Sequence, residues 1–80
     1  MQRVFLGTYM SIQMSITNKA LSYLVEGIQE MGGSIVNISH SRGSGTGTLI
    51  ILYEDNGCHE QISKFLEGKE DDIYKWLKKF

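Results

Sequence analysis

The first part of the chain alternates between less polar and more polar residues, although Phe5 and Tyr9 interrupt the polar positions. The even positions hold Val4, Leu6, Thr8, Met10, Ile12, Met14 and Ile16. A period of two is typical of a β-strand, because successive side chains point to opposite faces of a sheet. The pattern therefore predicts one long strand, or two short strands bent near Gly7, with the even-numbered face buried.

The spacing then changes to that of an amphipathic helix. Apolar residues recur three and four positions apart, at Leu21, Leu24, Val25, Ile28 and Met31. Thr17 or Asn18 offers a side-chain oxygen as an N-cap, because such an oxygen can accept from free N–H groups of the first turn. Gly32-Gly33 is predicted to end the helix, since glycine adopts the left-handed cap without steric cost.

Two further strands are predicted, at Ser34–Ser41 and at Thr48–Glu54, the second rich in β-branched residues. The glycine-rich segment between them is too short for a crossover helix. We therefore expect an antiparallel hairpin. Asp55-Asn56-Gly57 is a further turn signal.

The last third of the chain has helical spacing again, with an interruption. Ile62, Phe65 and Leu66 form a short apolar stripe, and Gly68 is predicted to stop or kink the helix. A second stripe has the spacing i, i+3, i+4, i+7 and consists of Ile73, Trp76, Leu77 and Phe80. Acidic residues precede this stripe and lysines surround its end, which complements a helix dipole.

The order β-α-β-β-α predicts an α+β fold, a two-layer sandwich with a small, mostly antiparallel sheet and helices packed on one face. Eighty residues leave no room for a second core, so residues 1–80 are expected to form a single domain. The predicted core is Val4, Leu6, Met10, Ile12, Leu21, Leu24, Val25, Ile28, Val36, Ile38, Ile62, Phe65 and Leu66.

Composition narrows the class of protein. Apolar residues make up 41% of the chain and the formal net charge is −1, values typical of a small soluble domain. Near-neutral charge argues against nucleic-acid binding, and no apolar run approaches the roughly 20 residues that span a bilayer. The first residues do not have the pattern of a secretory signal, and the single cysteine fits a reducing compartment, so a cytoplasmic location is predicted.

The hairpin segment is the strongest candidate for ligand binding. A strand follows its glycines where a dinucleotide fingerprint would need a helix, and a P-loop lysine is absent. His40 and Arg42 share strand parity and lead into a loop that contains Ser44 and Thr46. These four residues define one hypothesis, a site for a nucleotide or a phosphorylated metabolite; a flexible loop that binds nothing is the simpler interpretation.

No arrangement of residues points to catalysis. Ser39 and Ser41 flank His40 but point to the opposite face of the strand, so neither is placed to give it a proton. Cys58-His59 lacks the spacing of a zinc site. We therefore predict that the chain is not an enzyme and holds neither a metal nor another cofactor.

Self-association is the leading functional expectation. The third predicted strand is apolar on both faces, so one set of its side chains is expected to stay uncovered by helices. The predicted interface consists of Phe5, Tyr9, Ile35, Ile50 and Leu52. A non-enzymatic binding or regulatory protein acting as a homodimer would bury it. Alternatively, the stripe from Ile73 to Phe80 covers this face within one chain.

Overall fold

A computed structural model describes residues 1–9, 14–43 and 45–70, without the side chains of residues 14–17 and 42. Its elements are β1 (Gln2–Tyr9), α1 (Met14–Glu30), β2 (Ser34–Arg42), β3 (Gly47–Glu54) and α2 (His59–Leu66). The three strands form one antiparallel sheet in the order β1-β3-β2. The predicted α+β class, the order β-α-β-β-α and the antiparallel hairpin are therefore confirmed.

Both helices contribute to one core on one face of the sheet. The predicted core residues of α1 and α2 are confirmed: Leu24, Ile28, Ile62 and Leu66 are buried, and Leu21, Val25 and Phe65 pack against them. The sheet contributes Leu49, Ile51 and Tyr53 from β3. No helix among the described residues combines the length and apolar character needed to cross a membrane.

The buried face of β1 is the opposite of the predicted one. Phe5 and Tyr9 are 5% and 3% exposed, whereas Val4 and Leu6 are 62% and 52% exposed. Two aromatic rings bury more apolar surface than two aliphatic side chains, so the odd-numbered face packs under the helices. The even-numbered pattern was also lengthened by Met14 and Ile16, which belong to α1.

The core prediction for β2 is wrong for a different reason. The register shifts between Ile35 and Asn37, so Val36 has no partner on β3. Such a bulge moves every later side chain to the other face. Val36, the unpaired residue, is 48% exposed. Ile38, which the bulge places on the helix-covered face opposite Ile51, is still exposed on this edge strand.

The start of α1 lies earlier than the predicted cap at Thr17 or Asn18, because the helix already begins at Met14. The predicted core residues Met10 and Ile12 lie outside the described residues.

The end of α1 agrees with the prediction. Gly32 has a φ of 103°, and the N–H of Gly33 donates to the carbonyl of Ile28 over 2.9 Å. This bond across the left-handed glycine satisfies a carbonyl that the helix leaves free.

The turn into α2 is built on Asp55. Its Oδ1 accepts the N–H of Gly57, and its carbonyl accepts the N–H of Cys58, which caps α2. The Asn56 amide donates to the Gly32 carbonyl and ties this turn to the end of α1. The second stripe, Ile73 to Phe80, lies outside the described residues.

Candidate functional site

The uncovered face of the sheet carries four neighbouring aliphatic side chains. Val4 lies opposite Leu52 and Leu6 lies opposite Ile50 in the register of β1 and β3. Directly opposed side chains of an antiparallel pair lie on the same face and contact each other. We call Val4, Leu6, Ile50 and Leu52 the aliphatic patch.

The patch is confined to one half of this face. The residues of β2 that share the face are polar, namely Ser34, Asn37, Ser39 and Ser41. Val4 and Leu6 are more than half exposed, whereas Ile50 and Leu52 on the central strand are half-buried. A single antiparallel sheet usually presents polar residues to water on its free face, so an aliphatic half-face is the exception.

The structure corrects the predicted interface. Phe5 and Tyr9 belong to the buried core, and Ile35 packs against that core opposite Tyr53. Their places beside Ile50 and Leu52 are taken by Val4 and Leu6. The error follows from the inverted face of β1. The sequence signal that could have revealed it is the presence of two aromatic residues, Phe5 and Tyr9, on the odd-numbered face.

His40 is hydrogen-bonded across the sheet. Its Nε2 pairs with the hydroxyl of Tyr9, and the two rings lie 5.5 Å apart. Tyr9 is on β1 and His40 on β2, so the Tyr9 side chain must cross the central strand. It crosses at Gly47, where a Cβ atom would lie 2.1 Å from the tyrosine ring. The glycine therefore makes this bond possible.

The predicted ligand residues are only partly described. His40 lies opposite Leu49 and Arg42 opposite Gly47, so both positions belong to the helix-covered face. The side chain of Arg42 and the whole of Ser44 lie outside the described residues. The carbonyl of Thr46 accepts the N–H of Gly43 over 2.8 Å, so this loop donor is already occupied. Anion binding at the hairpin stays a prediction.

Asp55 forms a charged centre at one end of the sheet. It is 4% exposed, and its Oδ2 accepts the Nε–H of Arg3 over 2.7 Å. The Arg3 guanidinium, followed by the N–H of Gly57, holds the pKa of Asp55 well below its usual range. The amino group of Met1 also donates to the carboxylates of Asp55 and Glu54. The bond to Glu54 raises the pKa of this amino group.

An open groove of about 660 Å³ runs along β1 beside α2. Its apolar lining is Val4, Phe5, Tyr53 and Leu66, and its polar lining includes Arg3, His59, Lys64 and Glu67. We call this feature the edge groove. Sequence reasoning missed it, because only the packing of α2 against β1 creates it.

The remaining polar candidates form no metal centre. Among residues 1–9, 14–43 and 45–70, no three His, Cys, Asp or Glu side chains are arranged to hold an ion. Cys58 is a half-buried free thiol beside Gly32, and His59 is bonded to Ser63 on the next turn of α2.

The chain matches no protein-family model, no curated protein and no solved structure. Its function is therefore inferred from the chemistry of its own surfaces.

Proposed function

We propose that the protein is a non-enzymatic binding or regulatory domain that acts as a homodimer, with a second copy packed against the aliphatic patch. The observation that supports this proposal is the exposure of Val4 and Leu6 directly beside Leu52 and Ile50. Removing contiguous apolar surface from water is favourable by about 25 cal/mol per Å², so a patch of this kind favours association.

Twofold symmetry suits this surface. In a symmetric dimer the same patch is used on both copies, so an aliphatic surface meets an aliphatic surface. The polar residues of β2 on the same face would then form a hydrated rim, as at other protein interfaces. The lone, half-buried thiol of Cys58 is compatible with a reducing compartment, and we propose a cytoplasmic location.

The test compares two lysine substitutions by light scattering at micromolar concentration. Leu6→Lys places a charge in the middle of the patch, where a dimer would bury it without a partner. Val36→Lys is the matched control, because Val36 is similarly exposed but lies at the bulge of β2. We expect the wild type and Val36→Lys to have the mass of two chains and Leu6→Lys that of one.

A wild-type mass of one chain that does not change on dilution would contradict the dimer. Deletion of residues 71–80 then separates the alternatives. If the deletion variant dimerises while the intact chain stays monomeric, the C-terminal segment shields the patch within one chain. Circular dichroism of each variant shows whether it has folded.

A further inference from the structure

β1 is an edge strand, and two backbone donors on its outer side have no partner among the described residues. The N–H of Thr8 donates outward to the carbonyl of Glu70 over 3.3 Å, whereas the Met1 carbonyl accepts inward from Asp55. Backbone direction alternates along an antiparallel strand, so the N–H groups of Val4 and Leu6 also point outward. Among the described residues, neither has a backbone partner there.

The edge groove lies along these donors. Phe5, Tyr53 and Leu66 form an apolar middle section, and α2 forms one wall. An extended chain that bonded to Val4 and Leu6 would place every second side chain on the same side as this groove, because strand side chains alternate. The edge therefore offers backbone bonds and side-chain space together.

The two ends of the groove differ in charge. Arg3 lies at the end where Asp55 and the start of α2 meet, and His59 is the first residue of that helix. Glu67 caps the other end of α2, and Glu70 lies beside Thr8. Lys64, on the last turn of α2, also lines the groove, so this end combines two carboxylates with one amine. Among the described residues, the carboxylates of Glu67 and Glu70 have no ion-pair partner.

We propose that the outer edge of β1 binds an extended peptide segment of another protein as a fourth strand. Main-chain bonds to Val4 and Leu6 give affinity, and the groove selects alternate side chains. The matching segment carries an acidic residue toward Arg3, an apolar residue over Phe5 and Leu66, and a basic residue toward Glu67.

A second copy of β1 fits this groove less well than a peptide does. The groove-side residues of β1 are Arg3 and Phe5, and Phe5 is buried in its own core. A second copy could not use its Phe5 to fill the groove without losing that packing. The peptide would use the backbone edge of β1, whereas the homodimer uses side chains on the other face of the sheet. Val4 belongs to both surfaces.

The test uses two capped seven-residue peptides. One has the sequence Thr-Asp-Thr-Leu-Thr-Lys-Thr, and in the other the aspartate and the lysine are exchanged. Both are needed because a fourth strand can run in either direction. We expect one order to bind the intact protein, measured by NMR titration, with the amide signals of Val4 and Leu6 among those that shift most. Glu67→Lys is expected to weaken binding at least about tenfold, since it repels the peptide lysine. Glu67→Ser is the control that removes the charge without reversing it, and its effect should be smaller.

Backbone pairing is tested on both partners. Val4→Pro removes one outward donor at an edge position where proline is tolerated, and Val4→Thr keeps it. We expect the affinity for the peptide to fall at least about tenfold for the proline variant only. A tenfold fall corresponds to roughly 1.4 kcal/mol of binding free energy.

N-methylation of the peptide amides that face β1 should abolish binding, and N-methylation of the alternate amides should not. This comparison leaves the protein unchanged, so it decides the question even if Val4→Pro fails to fold. Failure of both peptide orders to bind at millimolar concentration, or equal effects of the two methylation patterns, would overturn the proposal. Protection of the Val4 and Leu6 amides in a dimer without peptide would also overturn it, because the edge would then bind a second copy.

Discussion

At the scale of single residues, Asp55 connects three parts of the chain. Its carboxylate binds Arg3 of β1 and the N–H of Gly57 in the turn before α2. A buried carboxylate is stable only when charged or hydrogen-bonding partners replace the water it has lost. Asp55 has both kinds of partner, so its ionised form supports the folded chain.

We predict that this carboxylate makes stability depend on pH. Its pKa is lower in the folded than in the unfolded chain, where it is about 3.9. The contribution is therefore complete above that pH and is lost progressively as the pH falls below it. Asp55→Asn should lower the free energy of unfolding at pH 7, and the difference from the wild type should shrink at pH 3.

Urea unfolding at both pH values measures this effect. Glu60→Gln is the control, because Glu60 is an exposed carboxylate on α2. A difference between Asp55→Asn and the wild type that is equally large at pH 3 and pH 7 would show that ionisation of Asp55 contributes nothing to folding.

At the scale of elements, a side chain links the two outer strands of the sheet. Tyr9 reaches from β1 to His40 on β2 over the bare backbone of Gly47 on β3. The tyrosine ring thus occupies the space that a side chain at position 47 would need. Strand pairing and side-chain packing are coupled at this one position.

Gly47→Ala is predicted to destabilise the protein by about 1–3 kcal/mol, because the new methyl group overlaps the Tyr9 ring and forces it to move. Gly43→Ala is the matched control, since a Cβ there would meet nothing closer than 3.6 Å. Thermal unfolding compares the two, and a loss of the Tyr9–His40 contact in NMR spectra identifies the cause. Equal stability of both variants would contradict the prediction.

The helices could be predicted from the sequence more fully than the strand faces. Leu24 and Ile28 are buried as their spacing indicates, because a helix of several turns averages over many positions. The buried face of a strand depends on whether its odd-numbered or its even-numbered residues point to the core. The aromatic residues of β1 reversed the expected choice, and the bulge after Ile35 exchanged the two faces along β2. The aliphatic patch was half predicted for this reason: Ile50 and Leu52 were identified, and Val4 and Leu6 were assigned to the core.

At the scale of the whole molecule, one core holds both helices against the sheet. Leu24 of α1 is fully buried in the cluster that contains Ile51 of β3 and Ile62 of α2. Small domains with a single core unfold cooperatively, so damage at the centre of that core should weaken every element together.

Leu24→Ala is predicted to lower the free energy of unfolding by about 2–5 kcal/mol, through lost burial and the cavity left behind. Ser22→Ala, on the exposed side of the same helix, should change it little. Urea unfolding followed by circular dichroism measures the change. A loss below 1 kcal/mol for Leu24→Ala would contradict a single shared core.

The strand order has a consequence for how the chain is made. β3 lies at the centre of the sheet, yet it is the last of the three strands along the chain. β1 is therefore synthesised well before β3, its neighbour in the described sheet. During that interval Val4, Leu6 and the aromatic residues of β1 remain without their native partners, a state in which apolar strands are prone to aggregate. Pairing of β3 with β1 ends this state, so the sheet can close only after Glu54 has been made.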